Sequence, residues 1–153
     1  MQNIYDKFIE LMSSFEKNEV EYILIGGLAI NLHGFARNTE DIDLFIRPAK
    51  NNVDKVHRAL MDVFDDNEIY EITLDELNKY AVIRYGTDYG FCIDLISKIG
   101  TEFNFEDMNF EIKTIDNVKI KVANIETLYR LKENTHREID QLDLKFLKSK
   151  MNN

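Results

Sequence analysis

Two aspartates separated by one residue are the first feature of this 153-residue sequence that could do chemistry. Asp41 and Asp43 alternate with the apolar Ile42, Leu44 and Ile46, and this period-two pattern predicts a strand with both carboxylates on one face. Two carboxylates held close together repel each other, so such a pair is tolerated when a cation lies between them. Their oxygen atoms are ligands that suit Mg²⁺ or Mn²⁺. The alternative is an exposed strand edge without a ligand.

The segment before the aspartates has the features of a phosphate site. An apolar run at residues 22–25 predicts a buried strand, Gly26 and Gly27 end it, and a short helix is predicted over residues 28–33. Glycines between a strand and a helix allow backbone N–H groups to approach a phosphate closely. Because only thirteen residues separate Gly27 from Asp41, we expect the glycines and the carboxylates to meet.

A third carboxylate, Asp94, lies inside a predicted strand at residues 91–96. A buried carboxylate among apolar neighbours needs a cation or dedicated hydrogen-bond donors. Asp94 is therefore either a third metal ligand or the ion-pair partner of an arginine such as Arg84.

Charge and composition limit the classes of partner. The net charge is −9, and the first 112 residues hold 22 acidic and 10 basic side chains. Such a surface repels a phosphate backbone, so extensive DNA binding is not expected, whereas metal ions or a cationic substrate are compatible with it. The sequence has no apolar run long enough to span a membrane, no secretion signal at its start, and one cysteine, Cys92. We expect a cytoplasmic protein without a membrane partner.

Hydrophobic spacing predicts an α/β fold with one domain over residues 1–153. Asn51 or Asn52 is predicted to cap the third helix, and Asn124 the first C-terminal helix. Predicted helices lie at residues 4–18, 28–33, 53–64 and, at the C-terminus, about 124–150. Predicted strands lie at residues 22–25, 41–46, around 68–73, 80–85 and 91–96, and in a hairpin of 110–113 with 118–122.

These motifs resemble the nucleotidyltransferase superfamily that includes DNA polymerase β. The likeness is strongest to its small prokaryotic members: the AbiEii-type toxins, minimal nucleotidyltransferases and antibiotic adenylyltransferases. At the C-terminus, the signature of AbiEii-like proteins is a lysine followed by R-x-K-D-x-x-D-L, and here Ile139 stands where a basic residue is more usual. The matching residues are Gly26-Gly27, the run Arg37-Asn38-Thr39-Glu40-Asp41-Ile42-Asp43-Leu44, Asp94, Lys132 and the run Arg137–Leu144.

The resemblance implies a nucleotidyltransferase fold, which is a mixed, twisted β-sheet with helices mainly on one face and a short helical C-terminus. Asp41 and Asp43 would bind two Mg²⁺ (or Mn²⁺) ions, and Asp94 would be the third ligand and the general base. Gly26 and Gly27 would hold the β- and γ-phosphates of a nucleoside triphosphate (NTP). An acceptor hydroxyl would attack the α-phosphorus in line, and pyrophosphate would leave. Paired metals can stabilise both the attacking and the leaving oxygen.

Supporting roles follow for further residues, each with an alternative. Arg37 and Thr39 would contact the nucleotide, although Arg37 could instead form a surface ion pair with Glu40. Lys132 would contact the triphosphate, oriented by two aspartates spaced i, i+3 on one helix face. That face could equally be an ordinary solvated one. The two aspartates are Asp140 and Asp143, and the structural or exposed histidines are His33, His57 and His136.

We therefore expect a metal-dependent enzyme that transfers a nucleoside monophosphate to a small molecule, a protein or an RNA. The resemblance to toxins makes a toxin–antitoxin component possible, with a cognate antitoxin or a second copy of the chain as partner. The alternative is a catalytically silent module of the same fold that binds a nucleotide or a partner protein. A manganese-dependent sugar-nucleotide glycosyltransferase is disfavoured, because the Gly26-Gly27 spacing does not belong to that class.

Overall fold

In a computed structural model that describes residues 4–99, 103–133 and 138–152, six strands form one mixed sheet. The strands are β1 (Tyr22–Ile25), β2 (Asp41–Ile46), β3 (Val82–Gly86), β4 (Cys92–Ile96), β5 (Phe110–Ile115) and β6 (Val118–Ala123). Their order across the sheet is β3-β4-β2-β1-β6-β5. The pairs β2–β4 and β1–β6 are parallel, and the other neighbours are antiparallel. The two central strands are thus those that carry the glycine bend and the paired aspartates.

Six α-helices surround this sheet within the described residues. The long helix α1 packs against α3 and β6, and it buries an apolar stripe formed by Phe8, Leu11 and Phe15. In the described part of the chain, no helix is long and apolar enough to cross a membrane, and the longest helices have 14 or 15 residues. The helices are α1 (Ile4–Lys17), α2 (Gly26–Leu32), α3 (Lys50–Phe64), α4 (Leu74–Tyr80), α5 (Ile125–Lys132) and α6 (Glu138–Met151).

The alternation predicted for β2 is confirmed. Ile42 and Leu44 are fully buried, whereas Asp41 and Asp43 are only partly buried on the opposite face. All four residues of β1 are buried, as expected for a strand with neighbours on both sides. The sheet therefore holds the start of β2 and the end of β1 in a rigid frame.

The strand predicted around residues 68–73 is wrong. A 3₁₀ turn occupies Asn67–Glu71, and α4 follows from Leu74. Thr73 caps α4 by accepting a hydrogen bond from the backbone N–H of Glu76, which is a helix-start pattern visible in the sequence. Local capping therefore overrides the short apolar run.

Two predictions at helix starts also differ from the structure. Neither Asn51 nor Asn52 caps α3, because Ala49 occupies the N-cap position and Asn52 is buried in the first turn. The helix α2 begins at Gly26, two residues earlier than predicted. Asn124 does cap α5, since its side chain accepts a hydrogen bond from the N–H of Thr127.

Candidate active site

Three carboxylates lie together on neighbouring strands. Asp41 and Asp43 belong to β2, Asp94 belongs to β4, and Asp43 pairs with Asp94 in the parallel register. Residues paired in this way project from the same face of a sheet. Of the neighbouring charges, that of Asp94 acts most strongly on Asp43. The structure thus brings together the three aspartates that the sequence singled out.

The surroundings of Asp43 favour the neutral form of its carboxyl group. Burial, together with the negative charges of the nearby Asp94 and Asp41, raises its pKa to about 7. The ammonium of Lys132 acts in the opposite sense. The site therefore favours either a bound proton or a bound cation at neutral pH.

Arg84 of β3 compensates the other two carboxylates. Its Nε lies 2.9 Å from Asp94 Oδ1, and its Nη2 lies 3.0 Å from Asp94 Oδ2 and 3.3 Å from Asp41 Oδ2. Of the two roles considered for Asp94, pairing with Arg84 is the one formed in this structure. Among the described residues, no three histidine, cysteine or acidic side chains converge in the arrangement of a metal site.

The donor set still fits a hard divalent cation. Three carboxylates share one face of the sheet, and burial together with the charges of Asp94 and Asp41 raises the pKa of Asp43. Carboxylate oxygens are the ligands that Mg²⁺ and Mn²⁺ prefer. The residues present are therefore suited to hold such an ion.

Neighbouring side chains leave no room for a Cβ atom at either glycine of the bend. Gly26 has a φ of +73°, and a Cβ at that position would lie 2.1 Å from Oδ2 of Asp43. A Cβ on Gly27 would lie 2.5 Å from Nη1 of Arg37 and 2.9 Å from Oγ1 of Thr39. Each glycine thus makes room for predicted site residues, and no side chain caps the first turn of α2.

Asn31 organises the loop between the bend and β2, and sequence reasoning missed it. Its Nδ2 donates to the carbonyl oxygens of Phe35 at 2.8 Å and Arg37 at 3.1 Å. Its Oδ1 accepts a hydrogen bond from the hydroxyl of Thr39 at 2.9 Å. A single asparagine within a short helix has no spacing signal that could have identified it.

A buried charge network lies behind the loop. Lys132 Nζ is 2.7 Å from Asp140 Oδ1 and 3.2 Å from Asp143 Oδ2, and Arg37 Nε is 3.4 Å from Asp143 Oδ1. The side chains of Asp140 and Asp143 are both 0% exposed. The alternative of a solvated helix face is therefore wrong, because α6 packs on α5 and turns this face inward.

The sequence left open a surface ion pair between Arg37 and Glu40. Among the described residues, the guanidinium of Arg37 instead pairs with Asp143. His136 and Arg137, which belong to the predicted C-terminal signature and histidine set, lie outside the described residues. His33 and His57 each contact a backbone carbonyl oxygen, as expected for structural histidines.

Two cavities meet at Asp41, share Thr39 and Glu40, and differ in their other lining residues. The first, of about 380 Å³, is lined by both glycines, Arg37, Lys132 and the two β2 aspartates. The second, of about 650 Å³, is lined by Glu40, Arg84 and the aromatic rings of Tyr89 and Phe91. The first can accept a polyanion with bound cations, and the second can accept a neutral or cationic group beside the same carboxylate.

Two solved structures of known proteins have a fold similar to that of this chain. The structure of the lincosamide antibiotic adenylyltransferase LnuA, solved with lincomycin bound, has a TM-score of 0.60 and 18% identity over 94% of this chain and 96% of that chain. An antigenic nucleotidyltransferase-like protein from Paracoccidioides brasiliensis has a TM-score of 0.56 and 15% identity over 91% of this chain and 74% of that chain. These likenesses show the fold.

No curated protein sequence matches the chain. The family model described as "Nucleotidyl transferase AbiEii toxin, Type IV TA system" matches residues 10–143, which include all eleven predicted site residues. The chain therefore belongs to the AbiEii family of nucleotidyl transferase toxins of type IV toxin–antitoxin systems.

Proposed function

We propose that this protein is a divalent-metal-dependent enzyme that transfers a nucleoside monophosphate from an NTP to a hydroxyl acceptor. Family membership supports nucleotidyl transfer in general, whereas the metal, the nucleotide and the roles of single residues are our proposal. The observation that carries it is the in-register placement of Asp43 beside Asp94, next to a bend where Gly26 has no room for a side chain.

The triphosphate binds in the smaller cavity. Arg37 and Lys132 line that cavity and supply positive charge, and the backbone N–H groups of the bend approach the phosphates. Asp140 and Asp143 hold these two cations in place from α6. The phosphates therefore meet charges that are already oriented.

The transfer itself takes place at the carboxylates. Asp41 and Asp43 would hold two Mg²⁺ or Mn²⁺ ions, which neutralise phosphate charge and polarise the α-phosphate when bound. Asp94 accepts the proton of the acceptor hydroxyl as the hydroxyl oxygen bonds to the α-phosphorus. The bond from that phosphorus to the bridging oxygen of pyrophosphate breaks, and pyrophosphate leaves.

The acceptor enters through the larger cavity. Glu40, Arg84 and the exposed ring of Tyr89 line it, and the net charge of −9 on the whole chain disfavours an RNA backbone there. LnuA, whose fold this chain shares, was solved with lincomycin bound, which supports a small-molecule acceptor. The toxin family supports a protein acceptor and a cognate antitoxin instead. A cytoplasmic location remains a prediction.

One observation favours a second candidate function. Arg84 already pairs with Asp94 and Asp41, as it would in a module that binds a nucleotide without catalysis. Such a module would bind an NTP and form no pyrophosphate.

The test is a transfer assay with each of the four α-³²P-labelled NTPs, Mg²⁺, and lincomycin, kanamycin, total tRNA or cell protein as acceptors. We expect label transfer by the wild type and a loss of about 100-fold or more in D41N, D43N and D94N. D75N, which changes an exposed aspartate at the start of α4, is the matched control and should retain activity. NTP binding without pyrophosphate release for any acceptor would favour the silent module.

A further inference from the structure

Arg84 reaches the carboxylates from the edge of the sheet. It lies on β3, directly opposite Asp94 in the antiparallel register with β4. Its side chain is 60% exposed, whereas the side chain of Asp94 is 12% exposed. Because the guanidinium is held on one side only by carboxylates and faces solvent on the other, it can leave without opening the core.

The guanidinium uses the ligand atoms that a metal would need. Both carboxylate oxygens of Asp94 and one of Asp41 accept its hydrogen bonds. A divalent cation bound by the same carboxylates would also be repelled by a positive charge at that distance. Arg84 and a cation therefore compete for Asp41 and Asp94.

An alternative place for the guanidinium exists beside this position. Arg84 lines the 650 Å³ cavity and a further cavity of about 360 Å³, and both cavities include Asp41. The second of these also includes Lys132 and Gly26, which line the proposed triphosphate cavity. Rotation about the side-chain bonds of Arg84 can therefore bring it toward a phosphate without movement of the backbone.

We propose that Arg84 is a displaceable substitute for the catalytic cation, which keeps metal affinity low until a nucleotide binds. In the nucleotide-free protein its guanidinium holds Asp41 and Asp94. In the nucleotide complex the phosphates provide a new partner for Arg84, and the carboxylates become available to the cation. Metal and nucleotide then bind with positive coupling, and each strengthens the other by the same factor. This inference rests on the proposed function and adds how loading of the site is controlled.

The test measures the affinity for Mn²⁺ by electron paramagnetic resonance, without and with the α,β-methylene analogues of the four NTPs. R84Q removes the charge and keeps most of the length, and R84K keeps the charge but loses the paired hydrogen bonds. Without nucleotide we expect R84Q to bind Mn²⁺ about tenfold more tightly than the wild type, and R84K about threefold more tightly. With the analogue the wild type and R84Q should converge.

The control is R47Q, which makes the same change in net charge at the other end of β2, where Arg47 pairs with Glu21 and Glu106. Its Mn²⁺ affinity should equal that of the wild type.

Affinities within twofold for the wild type and R84Q, with binding abolished in D43N, would overturn the role of Arg84 and leave the metal site intact. If R84Q does not fold, an R84K affinity equal to wild type has the same meaning. Absence of Mn²⁺ binding in every variant, even with an analogue, would instead contradict the proposed function.

Discussion

Asp43 and Asp94 are paired in register on the parallel strands β2 and β4, so their carboxyl groups lie on the same face of the sheet. Two ionised carboxylates so placed repel each other, and a proton on one of them relieves the repulsion. Burial and the charge of Asp94 raise the pKa of Asp43 to about 7, so this proton is retained close to neutral pH. Bound metal would replace it, because a cation satisfies both groups in their ionised form.

The metal-free protein should therefore lose stability as the pH rises. The folded state holds the Asp43 proton with a pKa of about 7, against the ordinary value of 3.8, so its stabilising effect is full below pH 3.8 and is lost as the pH rises through 7. We expect D43N, which cannot ionise, to be about 2 kcal/mol more stable than the wild type at pH 8, with a smaller difference at pH 5. Urea unfolding in EDTA at pH 5 and pH 8 measures the difference.

Two further measurements test this assignment. D88N removes an exposed carboxylate and should leave the pH dependence unchanged. Added Mg²⁺ should stabilise the wild type at pH 8 and not D43N. A D43N variant that is no more stable than the wild type at pH 8 would show that the Asp43–Asp94 pair is not under electrostatic strain.

Replacement of Gly26 by alanine should damage both stability and the site. A Cβ there would lie 2.1 Å from Oδ2 of Asp43, and the φ of +73° disfavours a side chain. Gly90 separates the two effects, because it has a φ of +87° and no heavy atom within 4 Å of its would-be Cβ. G90A should cost about 1 kcal/mol of unfolding free energy, and G26A about 3 kcal/mol.

Nucleotide binding gives the second comparison between these glycines. G26A displaces the carboxylate of Asp43 and should weaken binding of an NTP with Mg²⁺ by about tenfold or more, whereas G90A should not. Calorimetry with each NTP measures both variants. Equal nucleotide affinities for G26A and G90A would mean that the contact with Asp43 is relieved elsewhere and that the bend tolerates a side chain.

The sequence predicted the local parts of the site because they depend on short spacings. Alternation placed Asp41 and Asp43 on one face of β2, and the glycine run marked the bend. The partners of Arg37 could not be predicted in this way, since Asp143 lies more than a hundred residues away and comes close only when α6 packs on α5. Ion pairs between distant segments leave no periodic signal in the sequence. The only ion-pair partner that could be suggested for Arg37 was therefore Glu40, three residues away.

Most of the fold was also predictable, and its errors have two different causes. Asn51 or Asn52 was predicted to be the helix cap because asparagine near a helix start usually has that role. Asn52 has a different role. In the structure its side chain accepts from the N–H of Glu21 and donates to the carbonyl oxygens of Glu21 and Arg47. Tertiary hydrogen bonds thus outweighed the local preference, as helical capping outweighed the predicted strand at residues 68–73.

This role of Asn52 leads to a prediction about stability alone. Its buried amide joins the chain before β1 to the end of β2, so N52A removes three hydrogen bonds to backbone groups. The carbonyl oxygens of Glu21 and Arg47 each keep another backbone donor, whereas the N–H of Glu21 loses its acceptor. We expect a loss of about 3 kcal/mol in the free energy of unfolding, measured in urea. The exposed neighbour Asn51 offers a matched control, and N51A should change stability by less than about 0.5 kcal/mol. Equal stabilities of N52A and N51A would contradict the tertiary role.

Asp143 provides a way to decide whether α6 orients the phosphate-binding cations or merely neutralises them. Its fully buried carboxylate lies 3.4 Å from Arg37 Nε and 3.2 Å from Lys132 Nζ. If it only neutralises charge, D143N leaves the cavity more positive, and an NTP binds more tightly. If it orients the two cations, D143N weakens binding, and we expect about a tenfold loss in NTP affinity with a smaller change in kcat.

In a double-mutant cycle with R37Q, orientation predicts that the two losses do not add, because the same contact is removed twice. Additive losses, or tighter binding in D143N, would assign α6 a purely electrostatic role.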